Sequence, residues 1–349
     1  MAARRKNDSL PYDMFDLAQQ AYEARKATLL ANVYHKAQER AWSGKEILPL
    51  MIAKHGKPSL PKKEREALAR IFAIILWGEL AAWKISAQLA DSLEPLEAKM
   101  AATSQAFDEA RHFYTMYDYL QSLGYLPERI DRLSERVLDY TLNAKKLSHK
   151  ICGMQLMIET IALTIFQTVR KSGIEPVLGE VLRYFEIDEA RHVALGVNYL
   201  PAMIRKMSRL ELVEFMYFQF KLMIWVVHSL RALKPDLQTL GIDPRAIVEL
   251  GKAKQYEVFR EMWGDLGVDI KEERSVISRF FDAIDEVYFP RDESTSTLER
   301  LRKAANVFVA RYSVVDAASQ EEAHEQLHSD TVLPGMGPSS LGESKRRIH

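Results

Sequence analysis

The sequence predicts an all-α protein, a bundle of long helices, on three observations. Apolar residues recur at three- and four-residue spacing over long segments, the period of an amphipathic helix. Glycine and proline are sparse, 15 and 13 in 349 residues, and sit where that pattern stops. The word Asp-Glu-Ala-Arg-His occurs twice, at 108–112 and at 188–192, each time inside an apolar helical pattern.

In chain order, helices are expected at about 12–41, 62–91, 95–122, 128–145, 148–171, 176–203, 208–233, 243–266, 272–288 and 293–312. Their ends are marked by SLEP (92–95), GYLP (124–127), SGIEP (172–176) and YLP (199–201), where Pro or Gly disfavours continuation. No run of strands is evident. Residues 1–10 and 314–349 lose the apolar period, and the latter are rich in Ser, Glu, Gly and Pro. Both are expected to be flexible. They flank a single helical domain, 11–313, whose chemistry lies in a core at 62–203.

Composition excludes several classes. Lys plus Arg and Asp plus Glu both number 48, so net charge is zero and there is no electrostatic footprint for nucleic acid or an anionic membrane. The single cysteine, Cys152, rules out an intrachain disulfide framework and fits a reducing compartment, so a cytoplasmic location is expected. The basic start MAARRKNDSL has no apolar run after it and does not read as a signal peptide. The apolar windows 71–83 and 216–227 carry Glu79, Lys84 or Lys221 in or beside them. They fall short of the roughly 20 residues of a membrane span, so no stable membrane insertion is expected.

The repeat is more than one word. Glu79, Glu109 and His112 map onto Glu159, Glu189 and His192 with one constant offset (159 − 79 = 189 − 109 = 192 − 112 = 80). Glu79 lies as far before the turn near 93 as Glu109 lies after it. At about 1.5 Å per residue each arm measures roughly 21–23 Å. An antiparallel hairpin therefore brings the two glutamates to one height, and the second hairpin repeats this about the turn near 174. Glu109 and His112 are i, i+3 and share a helix face, as do Glu189 and His192. Glu79 in IILWGELAAW and Glu159 in LMIETIALTIF point with apolar neighbours. A buried carboxylate must be paired, protonated or metal-bound. Four at one level with two imidazoles form the ligand set of a four-helix di-metal carboxylate site, one Glu from each of two helices and Glu-x-x-His from each of the others. Oxygen-rich ligands with two imidazoles suit iron or manganese better than structural zinc. A crossover over 128–145, with a break near Cys152-Gly153, would return Glu159 to the right height.

A second metal-like word, His324-Glu325-Gln326-Leu327-His328, spells H-E-x-x-H. It lies in the polar tail and is expected to be solvated rather than a metalloprotease site.

The ordered pattern Glu79, Glu109-x-x-His112, Glu159, Glu189-x-x-His192 resembles the ferritin-like di-iron carboxylate superfamily over about residues 62–203. Asp-Glu-x-Arg-His at both sites resembles the bacterial multicomponent monooxygenase hydroxylases. DEARHVALG (188–196) resembles the second motif of the ligand-binding oxidases related to the ribonucleotide reductase small subunit. Those also match the chain in size and in having helices after the bundle. Acyl-carrier-protein desaturases likewise carry Arg before both ligand histidines.

The resemblance implies a ferritin-like bundle extended by further helices, with Asp108 and Asp188 accepting the free ring N–H of His192 and His112. Arg111 and Arg191 would belong to the same network. It implies an O2-activating di-iron oxidase or oxygenase, with two Fe or a Mn/Fe pair and O2 as co-substrate. An electron donor such as a ferredoxin or reductase is expected, with a small, hydrophobic organic substrate; a homodimer is left open. Met154, Leu163 and Phe166 are candidates to line a substrate pocket, or to be core.

Four positions depart from the relatives. Met116 stands where a reductase small subunit has its radical tyrosine. Ala82 and Met154 stand where the ligand-binding oxidases have a Val–Tyr crosslink. Leu163, followed by Thr164, stands where the hydroxylases have a threonine. A ferroxidase, a radical-generating subunit and a scaffold with a relic site are the alternatives. Trp77, Trp83, Tyr114, Tyr117, Tyr184, His149 and His228 are expected to serve packing.

Overall fold

The computed structural model describes residues 15–23, 27–265 and 276–310, with Glu321 and His324. The expected flexible ends, 1–10 and most of 314–349, lie outside the described residues. Among the described residues there are helices and no strand, in the order α1 (Leu17–Glu23), α2 (Thr28–Glu39), α3 (Gly44–His55), α4 (Lys62–Ser92), α5 (Leu96–Leu123), α6 (Arg132–Leu142), α7 (Leu147–Ile151), α8 (Glu159–Ser172), α9 (Pro176–Ile204), α10 (Arg209–Thr239), α11 (Pro244–Asp265), α12 (Val276–Tyr288) and α13 (Thr297–Val309). A π-helical segment, Cys152–Ile158, joins α7 to α8.

The hairpin turns are made by the expected residues. Leu93 leaves α4 in extended conformation and Pro95 precedes α5, which ends on Gly124 at φ 84°. That left-handed position favours glycine. In the second hairpin α8 ends on Gly173 at φ 65°. Pro176 opens α9, and the Glu175 side chain accepts from the amides of Val177 and Leu178. Proline at the first helical position forgoes a hydrogen bond that helix ends lack anyway.

Two apolar clusters fill the bundle, and the hairpins run through them in opposite directions. The α4–α5 turn belongs to the cluster of Ile85, Leu89, Leu93 and Met154. The α8–α9 turn belongs to the cluster of Phe72, Tyr119, Phe166 and Phe185. Glu79, Glu109, His112, Glu159, Glu189 and His192 fall at the seam between them. The apolar helical stretch Leu147–Ser172 is long enough to cross a membrane by composition, but 78% of its most apolar window is buried in the protein, as for a core helix of the bundle.

Four expectations are corrected. The helix expected over 12–41 is α1 plus α2, and the Ala27 amide beginning α2 donates to Glu97 Oε1 at 3.0 Å. Helix α3 was not anticipated, because Gly44, Pro49 and Gly56 punctuate it; burial of Leu48 and Met51 overrides them. Helix α10 continues past 233 to Thr239 with Pro235 inside, its end tied to α4 by the Arg70–Asp236 pair at 2.6 Å. The expected break at Cys152-Gly153 is instead the π segment, which keeps the helix continuous. There a Cβ on Gly196 of α9 would stand 2.6 Å from Leu156 Cδ2 and 2.9 Å from Gln155 Cβ. Glycine is required for that approach. Gln255 of α11 donates to the Leu156 carbonyl at 2.5 Å, serving a carbonyl in the widened turn.

Candidate metal centre

Glu79 lies midway along α4, Glu109 and His112 lie on α5, Glu159 is the first residue of α8, and Glu189 and His192 lie on α9. None of the six is more than 4% exposed. Their donor atoms form two groups, Glu79–Glu109–His112–Glu189 and Glu109–Glu159–Glu189–His192, each with its atoms within 4.8 Å of one another. Glu109 and Glu189 belong to both. His112 Nδ1 faces Glu79 Oε2 at 3.5 Å, Glu109 Oε2 at 3.5 Å and Glu189 Oε1 at 3.3 Å. His192 Nδ1 faces Glu109 Oε1 at 3.1 Å and Glu189 Oε2 at 3.0 Å. Both imidazoles thus aim Nδ1 inward.

Their Nε2 atoms point outward to the repeated aspartates, crosswise between hairpins. His112 Nε2 meets Asp188 Oδ2 at 3.0 Å, and His192 Nε2 meets Asp108 Oδ2 at 3.3 Å. Arg111 donates to Asp108 at 2.6 Å and to Asp188 at 2.7 Å. Arg191 donates to Asp108 at 3.0 Å and also to Asp188. Two aspartates and two arginines therefore close a neutral ring around the outer edges of the histidines. This answers why DEARH is spelled twice: each copy supplies two inward donors and half of the ring that orients the other copy's histidine.

The inner residues carry an unbalanced charge. Burial drives the Glu79 carboxyl well above its ordinary range, against the attraction of His112. Burial and repulsion by Glu189 and Glu109 do the same to Glu159. Despite burial, the hydrogen bond with Glu159 and the charge of His192 hold Glu189 far below the usual carboxylate range. His112 is raised well above its usual value: burial opposes this, but Glu79 and the Asp188 bond prevail. For His192, burial is likewise outweighed, chiefly by Glu109 and Glu189, and the imidazole is pushed up to about 10. Asp188 stays ionised far below the ordinary range, because the Arg191 charge and the His112 bond overcome its burial.

Cations fit this arrangement better than protons. Glu109 Oε2, His112 Nδ1 and Glu189 Oε1 are buried without a hydrogen-bond partner among the described residues, and they face one another. Buried polar atoms are normally satisfied. With the outer ring neutral, the four glutamates once all ionised would carry four negative charges, which two divalent ions would offset while both imidazoles stay neutral. No thiolate is present, so the donor set suits iron or manganese rather than structural zinc.

Two residues at the centre were not singled out by sequence. The Trp42 indole, just before α3, donates to Asp188 Oδ2 at 2.8 Å. It also lies over Arg111 at 4.5 Å and against the His112 ring at 5.9 Å. Nothing in the sequence near Trp42 signals this. Gln105 donates to Glu109 Oε1 at 2.9 Å and to Glu159 Oε1 at 3.1 Å. Its position one turn before Glu109 was a readable signal.

The three pocket candidates separate. Met154 lines an apolar cavity of about 80 Å³ that Glu79 and Glu159 also reach. Leu163 and Phe166 are buried but do not line it. Phe166 stacks on Phe72 at 6.3 Å and meets Phe185 edge-on at 5.7 Å. The Thr164 hydroxyl donates to the Thr160 carbonyl. Trp77, Trp83 and Tyr114 are exposed, and Met116 is buried. Tyr184 lies against Trp42 at 5.4 Å. His149 stacks on Phe218 at 4.6 Å, and His228 Nδ1 meets the Ile224 carbonyl at 2.7 Å. Of H-E-x-x-H, His324 reaches Glu257 at 2.9 Å and the other named letters lie outside the described residues.

No protein-family model and no curated protein matches the chain. Solved structures do. An R2-like ligand-binding oxidase with an aerobically reconstituted Mn/Fe cofactor aligns with a TM-score of 0.56 at 17% identity, covering 72% of this chain and 95% of that one. A variant with the Mn/Fe cofactor gives a TM-score of 0.55 at 16% identity, over 72% of this chain and 96% of that chain. A variant reconstituted with Fe/Fe gives a TM-score of 0.53 at 18% identity, over 67% and 90%. At such identities the likeness establishes the fold. The chain has the all-α, ferritin-like fold of the R2-like oxidases, and its buried carboxylate–histidine cluster fits a di-metal site.

Proposed function

We propose that this chain is an O2-using di-metal oxidoreductase, an oxidase or oxygenase, acting on a small apolar organic substrate. The observation that carries this is the convergence of two four-residue donor groups sharing Glu109 and Glu189, in which Glu109 Oε2, His112 Nδ1 and Glu189 Oε1 are buried without a hydrogen-bond partner among the described residues. Glu79, Glu109, His112, Glu159, Glu189 and His192 would hold the ions. When bound, two iron ions or a manganese–iron pair supply the electrons and open coordination positions that O2 reduction requires. R2-like relatives with Mn/Fe and Fe/Fe cofactors support either pair.

The chain's own residues do the rest. Asp188 and Asp108 accept hydrogen bonds from the Nε2–H groups of His112 and His192, which fixes the tautomer and leaves Nδ1 free to donate electrons inward. Arg111 and Arg191 keep both aspartates ionised. Gln105 donates to the Oε1 atoms of Glu109 and Glu159 and so fixes both carboxylates, with Glu109 Oε1 facing His192 Nδ1 and Glu109 Oε2 facing His112 Nδ1. The apolar clusters on both sides exclude water, which strengthens every charge interaction between them. The cavity beside Glu79, Glu159 and Met154 offers room for substrate, and an external donor such as a ferredoxin or reductase would restore the reduced state.

The test is anaerobic loading with Fe(II), alone and with Mn(II), followed by elemental analysis and exposure to O2. Two metals per chain and O2 uptake in fixed ratio to them are expected. Fewer than two metals in the intact chain, or continued iron uptake well beyond two, would overturn the reading, the latter in favour of iron storage.

A further inference from the structure

The cavity next to the metal centre has two chemically different walls. Glu79 of α4 and Glu159 of α8 supply the first, among Ile and Ala side chains. Ser134 of α6 and Ser229 of α10 supply the other. Their hydroxyls are 2.6 Å apart and both residues are buried. The bond between them uses one of two hydroxyl protons, so the pair retains one O–H to donate and lone pairs to accept. The rest of the serine wall is aliphatic, including Val137, Leu138, Val226 and Leu233. No Lys, Arg or His lines the cavity among the described residues. A charged group at the serine wall would therefore be desolvated with no partner, which is costly. A neutral hydroxyl or carbonyl would be satisfied there at little cost. The volume, about 80 Å³, holds on the order of five to eight water-sized groups at roughly 10–15 Å³ each.

We propose that this cavity binds a short, uncharged molecule whose single hydroxyl or carbonyl is held by the Ser134–Ser229 pair, with its alkyl part reaching toward Glu79 and Glu159. This rests on the di-metal reading of the adjoining centre, and it makes a neutral aliphatic alcohol or carbonyl compound the substrate class. The serines set which end of the molecule faces the metals. They are specificity-determining rather than catalytic groups.

The experiment uses the metal-loaded full chain, kept anaerobic so that no turnover occurs, with 1-hexanol, hexanoate and n-hexane as probes in calorimetric titration. 1-Hexanol is expected to bind at one site per chain, at least about fivefold more tightly than either of the others, the scale of one hydrogen bond. Ser134→Ala and Ser229→Ala should each weaken 1-hexanol about five- to tenfold while leaving n-hexane within twofold; Ser229→Thr, which keeps the hydroxyl, should retain most of the preference. Hexanoate binding as tightly as 1-hexanol overturns the proposal, as does a hexanol preference unchanged in both alanine variants. If those variants fail to fold in a thermal melt, the three-probe comparison on the parent chain still decides. Metal is counted on the same samples. Two metals with no alcohol preference sinks this inference alone, and an alcohol preference with fewer than two metals sinks only the reading of the centre.

Discussion

The two DEARH words are identical in letters and unlike in surroundings. His112 packs in an aromatic cluster: Phe185 stacks on it at 4.2 Å and Trp42 lies 5.9 Å away, the two rings 5.6 Å apart. The Asp188 that orients it also receives the Trp42 indole and both arginines. His192 has only the His112 ring near it among the described residues, at 6.0 Å. Its aspartate, Asp108, receives the arginines but no indole. The second donor group has instead the amide of Gln105 on Glu159. A duplicated motif thus builds a nearly symmetric inner cluster, and elements outside the repeat make its two donor groups inequivalent.

The largest effect should separate shared from unshared ligands. Glu109→Ala and Glu189→Ala remove a donor from both groups, so metal content by elemental analysis should drop from two per chain to near zero. Glu79→Ala and Glu159→Ala each touch one group and should leave about one. Equal loss in all four variants would mean the two positions do not fill independently.

Next come the aspartates. Asp188→Asn and Asp108→Asn should each weaken metal binding about 10- to 100-fold, the usual consequence of losing a histidine's outer partner. Each also leaves the buried arginines under-compensated, a destabilisation of about 3–5 kcal/mol. Asp188→Asn should be the worse of the two in both metal titration and thermal melts, because Asp188 serves one more donor. Indistinguishable variants would mean that the extra Trp42 bond does not distinguish the two aspartates.

The metal-free chain should then show a pH dependence that the loaded chain lacks. The folded-state value of His192 is raised, from 6.5 to about 10. Its contribution to stability is therefore complete below about pH 6.5 and is lost as pH rises through 10. Glu79 and Glu159, also raised, act with the same sign. Asp188 and Glu189 are depressed, so their contribution is present above the ordinary carboxylate range and lost on acidification. Thermal melts of metal-free protein should peak in mildly acidic buffer and decline from about pH 6.5 to 10. Two bound cations replace those protons, so the alkaline decline should vanish on loading; a decline of equal size in both forms would contradict this.

The smallest effect is the most specific. Trp42→Phe keeps the ring against His112 but deletes the indole N–H. A cost of about 1.5–3 kcal/mol is expected, that of a hydrogen bond to a charged group. Anomalous scattering should show occupancy reduced at the His112 position and little changed at the His192 position.

Much of this was legible in the chain. The hairpin turns at 92–95 and 172–176, the six inward donors and the crosswise aspartates could be read from spacing and from the resemblance. Helix α3 is hidden by its own Gly and Pro, and Gly153 signals a break where the chain instead widens into the π segment. Of the pocket candidates only Met154 lines the cavity: position on one helix says which face a residue takes, not which neighbour covers it.

By itself, the sequence determined what is local to a helix: its period, its caps, and the three-residue step that puts a Glu and a His on one face. It also set the matched arm lengths that level four carboxylates. Tertiary structure alone decided that Trp42 reaches Asp188, 146 residues away, that Ser134 meets Ser229 across 95 residues, and that a cavity lies where they meet the metal centre. The reason is physical: a helix fixes directions along its own axis, but contacts between distant helices depend on how the whole set of apolar faces packs at once.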